Sequence, residues 1–308
     1  MNQMIPLFVV TPLAAAFLIM IIGRFVREFN KYCAASTLLF LSVISFSLLI
    51  QSAGNIYVYK VGGWEAINKI PIGIYMVIDG FSILVVCIIN LLGLFSAIYS
   101  MSYIKRYTAE NYFYALFCLM IAGMNGVVLS GDLFNIFVFL EISVISAYSL
   151  VAFGVEKNEL EASFKYQVLG SIASFFILFG IGFIYWKTKT LNIADIKAAY
   201  GINHTSSFYL FAQLLILCGF GLKAAIIPFH AWLPDAHSSA PSPISAMLSG
   251  VLIKAVGIYV IIRLFFNMFI ISESISILII TLGTLSMVIG VFLAIGQWDI
   301  KGCLHTTA

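Results

Sequence analysis

Apolar residues run along this chain in stretches long enough to cross a membrane, separated by short polar segments. A bilayer core takes about 20 apolar residues per helix, and on that rule nine spans are expected, at roughly 5–23, 32–52, 77–100, 112–130, 132–153, 166–186, 208–228, 244–264 and 275–297. Only Ser130-Gly131-Asp132 separates spans four and five, so those two must form an antiparallel hairpin. Residues 53–76 alternate weakly (Ile56, Val58, Val61) around Gly62-Gly63 and Pro71, a pattern that suits a short β-hairpin. The polar loop at 187–207 has room for a short helix from Ile193 to Tyr200. The fold class expected is all-α and integral to the membrane: a polytopic bundle of about nine transmembrane helices.

One stretch departs from uniform apolar helix. Residues 214–263 hold Lys223 and Lys254 inside apolar runs, and between them lie Pro228, His230, Trp232, Pro234, Asp235, His237, Pro241 and Pro243. Each proline lacks an N–H and clashes with the preceding turn, so the seventh span is expected to be discontinuous near 228–243. Irregular backbone at membrane depth is tolerated only where protein or water satisfies its polar groups.

Composition narrows the classes. The chain is 62% hydrophobic and 9% charged, which excludes an ordinary soluble domain. A net charge of +3 leaves too few cations to build a nucleic-acid surface. Cys33, Cys87, Cys118, Cys218 and Cys303 are far apart and form no zinc or iron–sulfur spacing, so helix packing is their expected role. The first apolar run has no basic leader, and Arg24 and Arg27 follow it, which favours a retained first span over a cleaved signal peptide. Loop charge sets orientation. Arg24, Arg27, Lys31, Lys105, Arg106, Lys157, Lys165 and Lys301 fall on one side, and Lys60, Lys69, Lys187, Lys189 and Lys197 on the other, so the first side is expected to be cytoplasmic. Two short matches carry no function: the glycosylation-like Asn203-His204-Thr205, and Gly219-x-Gly221-x-x-Ala224, which lies within a span and reads as close helix packing.

The candidate chemistry is ionic. Glu141 lies nine residues into span five, about 13 Å deep at 1.5 Å per residue. Its helical neighbours Phe137, Val138, Val144 and Ile145 are all apolar, so any partner comes from another helix or from water. A mid-membrane charge costs about 2.5–3.5 kcal/mol on insertion scales, which makes Glu141 either a proton or ion site or a carboxylate tied to a neighbouring helix. Lys223 and Lys254 pose the same choice between proton carrier and structural pair. Arg263, near the end of span eight, can snorkel to the interface. His230 and His237 flank Asp235 in the expected water-accessible break, where they either relay protons or satisfy freed backbone groups; their spacing fits no metal motif. Asp79 opens span three as a candidate interfacial cap, and Lys165 opens span six beside Glu156, Glu159 and Glu161 as a candidate solvated cluster.

Four segments carry a family resemblance: DGFSILVVCIINLLGLFSAIYS at 79–100, FVFLEISVISAYSLV at 137–151, GFGLKAAIIPFHAWLPDAHSSAPSPISAMLSGVLIKAVGIYVIIR at 219–263 and QWDIK at 297–301. Through them the chain resembles the antiporter-like membrane subunits (M, N and L types) shared by respiratory complex I, multisubunit Mrp-type sodium/proton antiporters and energy-converting membrane-bound hydrogenases. The wording of the third segment is closer to the M-type or hydrogenase-type members. The resemblance implies that Glu141 and Lys223 form a pair whose separation changes the lysine's hold on its proton, and that Lys254 passes the proton on through water and polar side chains. His230 and His237 fall in the matching break and can join that relay, while Lys165, Asp79 and Asp235 are auxiliary candidates. It also implies other membrane subunits as partners, protons as the ion with sodium as a second candidate, no cofactor of its own, and a prokaryotic cell membrane.

The family core has two inverted repeats, each with a broken helix. This sequence is expected to hold the first, with residues 1–111 as N-terminal helices, 112–264 as the core repeat and 265–308 as a further helix and a shortened C-terminus. The second broken helix is not in these 308 residues, so either the product is truncated or a partner supplies that half. Three readings follow: a proton-translocating subunit of a redox-driven complex, an Mrp-like cation/proton antiporter subunit, or a non-transporting assembly piece.

Overall fold

The computed structural model describes residues 2–26, 28–52, 54–64, 73–107, 109–200, 207–269 and 271–295. The 203–205 match, Arg27, Lys69, Pro71, the QWDIK segment, Lys301 and Cys303 lie outside the described residues. The elements are α1 (Leu7–Ile22), α2 (Phe29–Ser52), β1 (Tyr57–Lys60), β2 (Tyr75–Ile78), α3 (Gly80–Tyr103), α4 (Glu110–Leu129), α5 (Leu133–Val151), α6 (Lys157–Thr188), α7 (Ile193–Tyr200), α8 (Ser207–Lys223) and α9 (Trp232–Ser239). They are followed by α10 (Ser242–Met268) and α11 (Glu273–Ile295). Eight described helices are long and apolar enough to cross a membrane, and α8 is a shorter apolar helix that completes the expected set of nine. The protein is an all-α, multi-pass integral membrane protein.

Two groups of helices form the bundle. Helix α4 is enclosed on nearly every face by α1, α2, α3, α5 and α10. Helix α6 packs on α5, α8 and α9. Large apolar side chains such as Phe17, Phe46, Phe175, Phe179 and Phe292 point outward, as lipid-facing residues do, and α11 is exposed almost throughout. Within the first group, Asn90 and Asn125 are fully buried and bond each other reciprocally at 3.1 and 3.2 Å. Their remaining amide hydrogens reach Phe8 O at 3.1 Å and Val86 O at 2.8 Å, so α1, α3 and α4 are joined by a satisfied polar knot.

The predicted hairpin of spans four and five is present, and backbone bonds fix its tip. Gly131 N donates to Tyr75 O (2.9 Å) and Leu133 N to Leu191 O (3.0 Å), so the turn ties together the β1–β2 hairpin and α7. The strands pair antiparallel from Tyr57↔Ile78 to Lys60↔Tyr75, and α7 occupies the expected Ile193–Tyr200.

Three boundaries differ from the sequence expectation, each for a local reason. Helix α6 starts at Lys157, not 166, because Glu156 and Glu159 form a reciprocal capping box there. At 32 residues it is about 48 Å long, more than a bilayer core, so Lys165 does not open the helix but lies nine residues inside it and is still exposed. Helix α8 stops at Lys223 rather than 228. Ile226 N donates to Gly221 O (2.9 Å) and Ala225 N to Leu222 O (3.2 Å), with Ala225 left-handed at φ 53°. This is a Schellman arrangement with alanine where glycine is usual, which is why the stop is hidden in an apolar run. Helix α10 extends to Met268 and is wound with π-type hydrogen bonds over Leu248–Ile258 and Arg263–Met268.

Close approach of α4 and α5 depends on Gly123, where an added Cβ would sit 2.6 Å from Ser143 N. Because the obstacle is backbone, Gly123→Ala is expected to push the hairpin apart and cost about 1–3 kcal/mol. The measurement is the thermal unfolding midpoint in detergent; an unchanged midpoint would contradict this packing.

Candidate functional site

The end of α8 delivers Lys223 into the middle of the bundle, and its side chain is 2% exposed. Its Nζ lies 3.7 Å from Glu141 Oε1 on α5 and donates to the Tyr148 hydroxyl at 3.3 Å. Tyr148 is seven residues, or two turns, beyond Glu141, so both face α8 from one side of α5. The Glu141 oxygen also accepts from Ser174 Oγ on α6 at 2.5 Å. Glu141 thus finds both partners on other helices, as the apolar surroundings on its own helix require.

The break itself stabilises the cation. Lys223 occupies the last turn of α8, the end of the helix dipole that favours a cation. Trp232 Nε1 donates to Leu222 O (3.2 Å), and the indole stacks on Tyr166 at 4.2 Å between centroids. Tyr166 meets Tyr148 edge-on at 4.5 Å. A continuous aromatic column therefore runs from α9 through α6 to the hydroxyl on Lys223. Gly170 of α6 makes room for that hydroxyl, since a Cβ there would collide with it. The Gly219 pattern is close packing, with a Cβ falling 2.9 Å from Ala173 O of α6.

Magnitudes show how finely the pair is balanced. At 3.7 Å and an effective dielectric of about 20, the attraction is ~4 kcal/mol. Two charges at mid-membrane cost ~5–7 kcal/mol together on insertion scales. The attraction offsets one charge but not both, so loss of either charge is cheap.

Lys254 sits on the π-wound part of α10, and its Nζ donates to Ser249 O at 2.5 Å. A cavity of about 510 Å³ joins it to the break: Ala224, Ala225, Ile227 and His230 line one side, Lys254 the next, and Ser286 of α11 the third. Ser286 Oγ also accepts Ile227 N (3.1 Å), satisfying broken backbone. His230 faces this space, and its Nδ1 is buried with no partner among the described residues.

The remaining candidates do not join this cluster. His237 was expected in a water-accessible break but is fully buried, because α9 folds it against α10, where its Nδ1 is 3.4 Å from Ser245 Oγ. Asp235 leaves the two histidines for the surface and pairs with Lys165 at 2.9 Å, and Lys165 also reaches Glu161 at 2.9 Å. Asp79 caps α3 through Ser82 (2.8 Å), as expected of an interfacial cap, and also pairs with Arg263 at 2.5 Å, so Arg263 is held by a carboxylate. Burial pushes the Asp79 carboxyl up, but hydrogen bonds from Arg263 and Ser82 and the guanidinium charge outweigh it and hold it below the usual carboxylate range. Sequence reading missed Ser174, Tyr148 and the aromatic column. The two-turn spacing of Glu141 and Tyr148 and the small-xxx-small pair Gly170/Ser174 were the available signals.

Comparison with known proteins adds to this geometry. Residues 130–305 match a family model described as NADH:quinone oxidoreductase/Mrp antiporter, transmembrane. NADH-quinone oxidoreductase subunit N of Desulforudis audaxviator is 36% identical over 85% of this chain and 51% of its own length. A Na(+)/H(+) antiporter subunit of Alkalihalophilus pseudofirmus is 31% identical over 99% of this chain and 61% of its own. A chain of the membrane-bound sulfane sulfur reductase, an archaeal respiratory membrane complex, superposes with a TM-score of 0.91 at 32% identity, over 99% of this chain and 62% of that one. The two curated relatives are an N-type oxidoreductase subunit and an antiporter subunit rather than an M-type subunit, and the chain spans about half to three-fifths of their length.

The Asp79–Arg263 pair is largely enclosed, with side chains 22% and 14% exposed. Removing one partner alone, as in Arg263→Gln, is expected to cost about 3 kcal/mol by stranding the other charge, and adding Asp79→Asn to recover most of it. Thermal midpoints of the two single variants and the double variant test this; additive losses would show that the charges are not coupled.

Proposed function

The chain belongs to the NADH:quinone oxidoreductase/Mrp antiporter transmembrane family, and from that premise we propose that it is a proton-translocating, antiporter-like subunit of a redox-driven membrane complex. One observation carries the reading: a nearly inaccessible lysine, Lys223, ends an interrupted helix beside the Glu141 carboxylate, and the break after it opens towards a second lysine. Residues 112–264 are the functional core in this reading, with 1–111 and 265–308 flanking it.

In this reading Glu141 and Lys223 form an ion pair at 3.7 Å. When they separate, the attraction that keeps the proton on Lys223 weakens. The proton then leaves into the cavity behind Ala224 and travels by water to Lys254. His230 borders that route with a ring nitrogen free to take or give a proton, and His237 is linked to α10 through Ser245. Lys165, Asp235 and Asp79 act as auxiliaries by fixing the helices around the route. Electron transfer belongs to partner subunits, which bias the charge pair electrostatically.

A second reading is an Mrp-like cation/proton antiporter subunit in which sodium or potassium exchanges for protons. Its support is the similarity to the Alkalihalophilus antiporter subunit across nearly the whole chain. Dye-based cation/proton exchange in vesicles that hold this chain alone would favour it over the redox-driven reading.

Lys223→Ala in the assembled complex is expected to lower proton pumping about tenfold or more, a loss of at least ~1.4 kcal/mol from the limiting step. Pumping is measured in vesicles at matched assembly. Pumping at the unaltered rate would overturn the proposal.

A further inference from the structure

We propose that Ser174 is a positioning residue for Glu141, holding the carboxyl group in both of its protonation states and setting where it stands relative to Lys223. The inference rests on the proton-carrying reading of the Glu141–Lys223 pair. Three observations carry it.

The first is that the Ser174 hydroxyl has two acceptors. Its Oγ lies 2.5 Å from Glu141 Oε1 and 2.9 Å from Gly170 O, one turn back on α6. A bond to the carbonyl four residues back is the ordinary refuge of a serine in an apolar helix, as Ser42, Ser146 and Ser171 show here. Ser174 has that refuge and an ionisable partner as well. A hydroxyl owns one hydrogen and two lone pairs, so it cannot donate to both acceptors at once.

The second follows from that count. When Glu141 is charged, Ser174 donates its hydrogen to Oε1. When Glu141 is protonated, the serine hydrogen turns to Gly170 O, and the freed lone pair of Oγ accepts the carboxyl O–H. No atom moves except a hydrogen about the Cβ–Oγ bond. Both forms of Glu141 therefore keep a hydrogen bond to one oxygen.

The third is the length of the ion pair. Lys223 Nζ and Glu141 Oε1 stand 3.7 Å apart, whereas a charge-assisted bond between such groups closes to about 2.7–2.9 Å. The oxygen nearest the lysine is the one that Ser174 occupies, and Lys223 makes its shorter bond, 3.3 Å, to Tyr148 instead. Ser174 thus bonds the same oxygen that Lys223 faces, so its bond fixes where that oxygen stands relative to the ammonium. Gly170 supports both sides of this arrangement, offering the alternative carbonyl and the notch for the Tyr148 hydroxyl.

The test compares Ser174→Ala with Ser174→Thr in the assembled complex. Infrared difference spectra report the Glu141 carboxyl and carboxylate bands, assigned by their disappearance in Glu141→Gln, and proton pumping is measured on the same preparations. With Ser174→Ala, both Glu141 bands are expected to shift and pumping to fall about tenfold, in keeping with loss of a hydrogen bond to a charged group. Ser174→Thr, which keeps the hydroxyl, restores both. Glu141 bands that stay put in Ser174→Ala, or shift equally in Ser174→Thr, would overturn the role assigned to the hydroxyl. The functional reading fails separately: Glu141→Gln pumping at the full rate would remove it, whatever the bands of Ser174→Ala report.

Discussion

A lysine ammonium in the middle of a bilayer is the constraint from which the rest of this structure follows. Lys223 is held at that depth by several terms acting together, because the attraction to Glu141 offsets one of the two buried charges but not both. Glu141 supplies the opposite charge, Tyr148 an oxygen, and the carbonyl end of α8 a partial negative charge. The last term explains the break. Stopping at Lys223 places this residue at the negative end of the α8 dipole, and Ile226, Trp232 and Ser286 pair the backbone groups that the stop releases.

The same constraint accounts for the close packing of α5, α6 and α8. The ammonium finds Glu141 and Tyr148 on α5, and Glu141 in turn finds Ser174 on α6, which is possible only where the backbones of α5, α6 and α8 approach closely. Glycine permits it at two of the contacts: Gly170 admits the Tyr148 hydroxyl, and Gly219 brings α8 onto α6. The aromatic column from Trp232 through Tyr166 to Tyr148 then makes the position of α9 a property of the site, since shifting α9 disturbs the hydroxyl that touches Lys223. Packing and chemistry are one arrangement here.

Which parts were legible in the sequence follows from how each signal is encoded. Spans are legible because lipid demands apolar residues at every exposed position, and Glu141 and Lys223 stand out against that background. The hairpin at Ser130-Gly131-Asp132 and the helix at 193–200 formed where local reading put them, and the expected β-hairpin is present, although its second strand, 75–78, runs into what read as the start of span three. What stayed hidden depends on geometry between segments. The early start of α6 comes from two glutamates that look like surface charge until their capping bonds are seen. The end of α8 rests on an alanine in a left-handed conformation, and nothing in the residue type announces it. Asp235 sat between two histidines in sequence, but one helical turn sends it to the surface and His237 to the interior. Ser174 is one serine among many on apolar helices, and its meaning arises only from the oxygen of α5 opposite it.

The two ends of the bundle are held by different kinds of contact. At one end Arg263 ties α10 to α3 through an enclosed pair with Asp79, and Tyr259 of the same helix bonds Val128 O at 2.8 Å. At the other end α9 is tied to α6 by Lys165 and Asp235, each about half exposed, a kind of pair worth at most about 1 kcal/mol in water. Lys254 therefore stands on a helix tied by an enclosed ion pair, whereas Lys223 stands beside a short helix held by a stacked ring, by the Trp232–Leu222 and His237–Ser245 bonds and by a surface pair. The column from Trp232 through Tyr166 to Tyr148 connects α9 with the hydroxyl on the ammonium, so the surroundings of Lys223 rest on both kinds of contact.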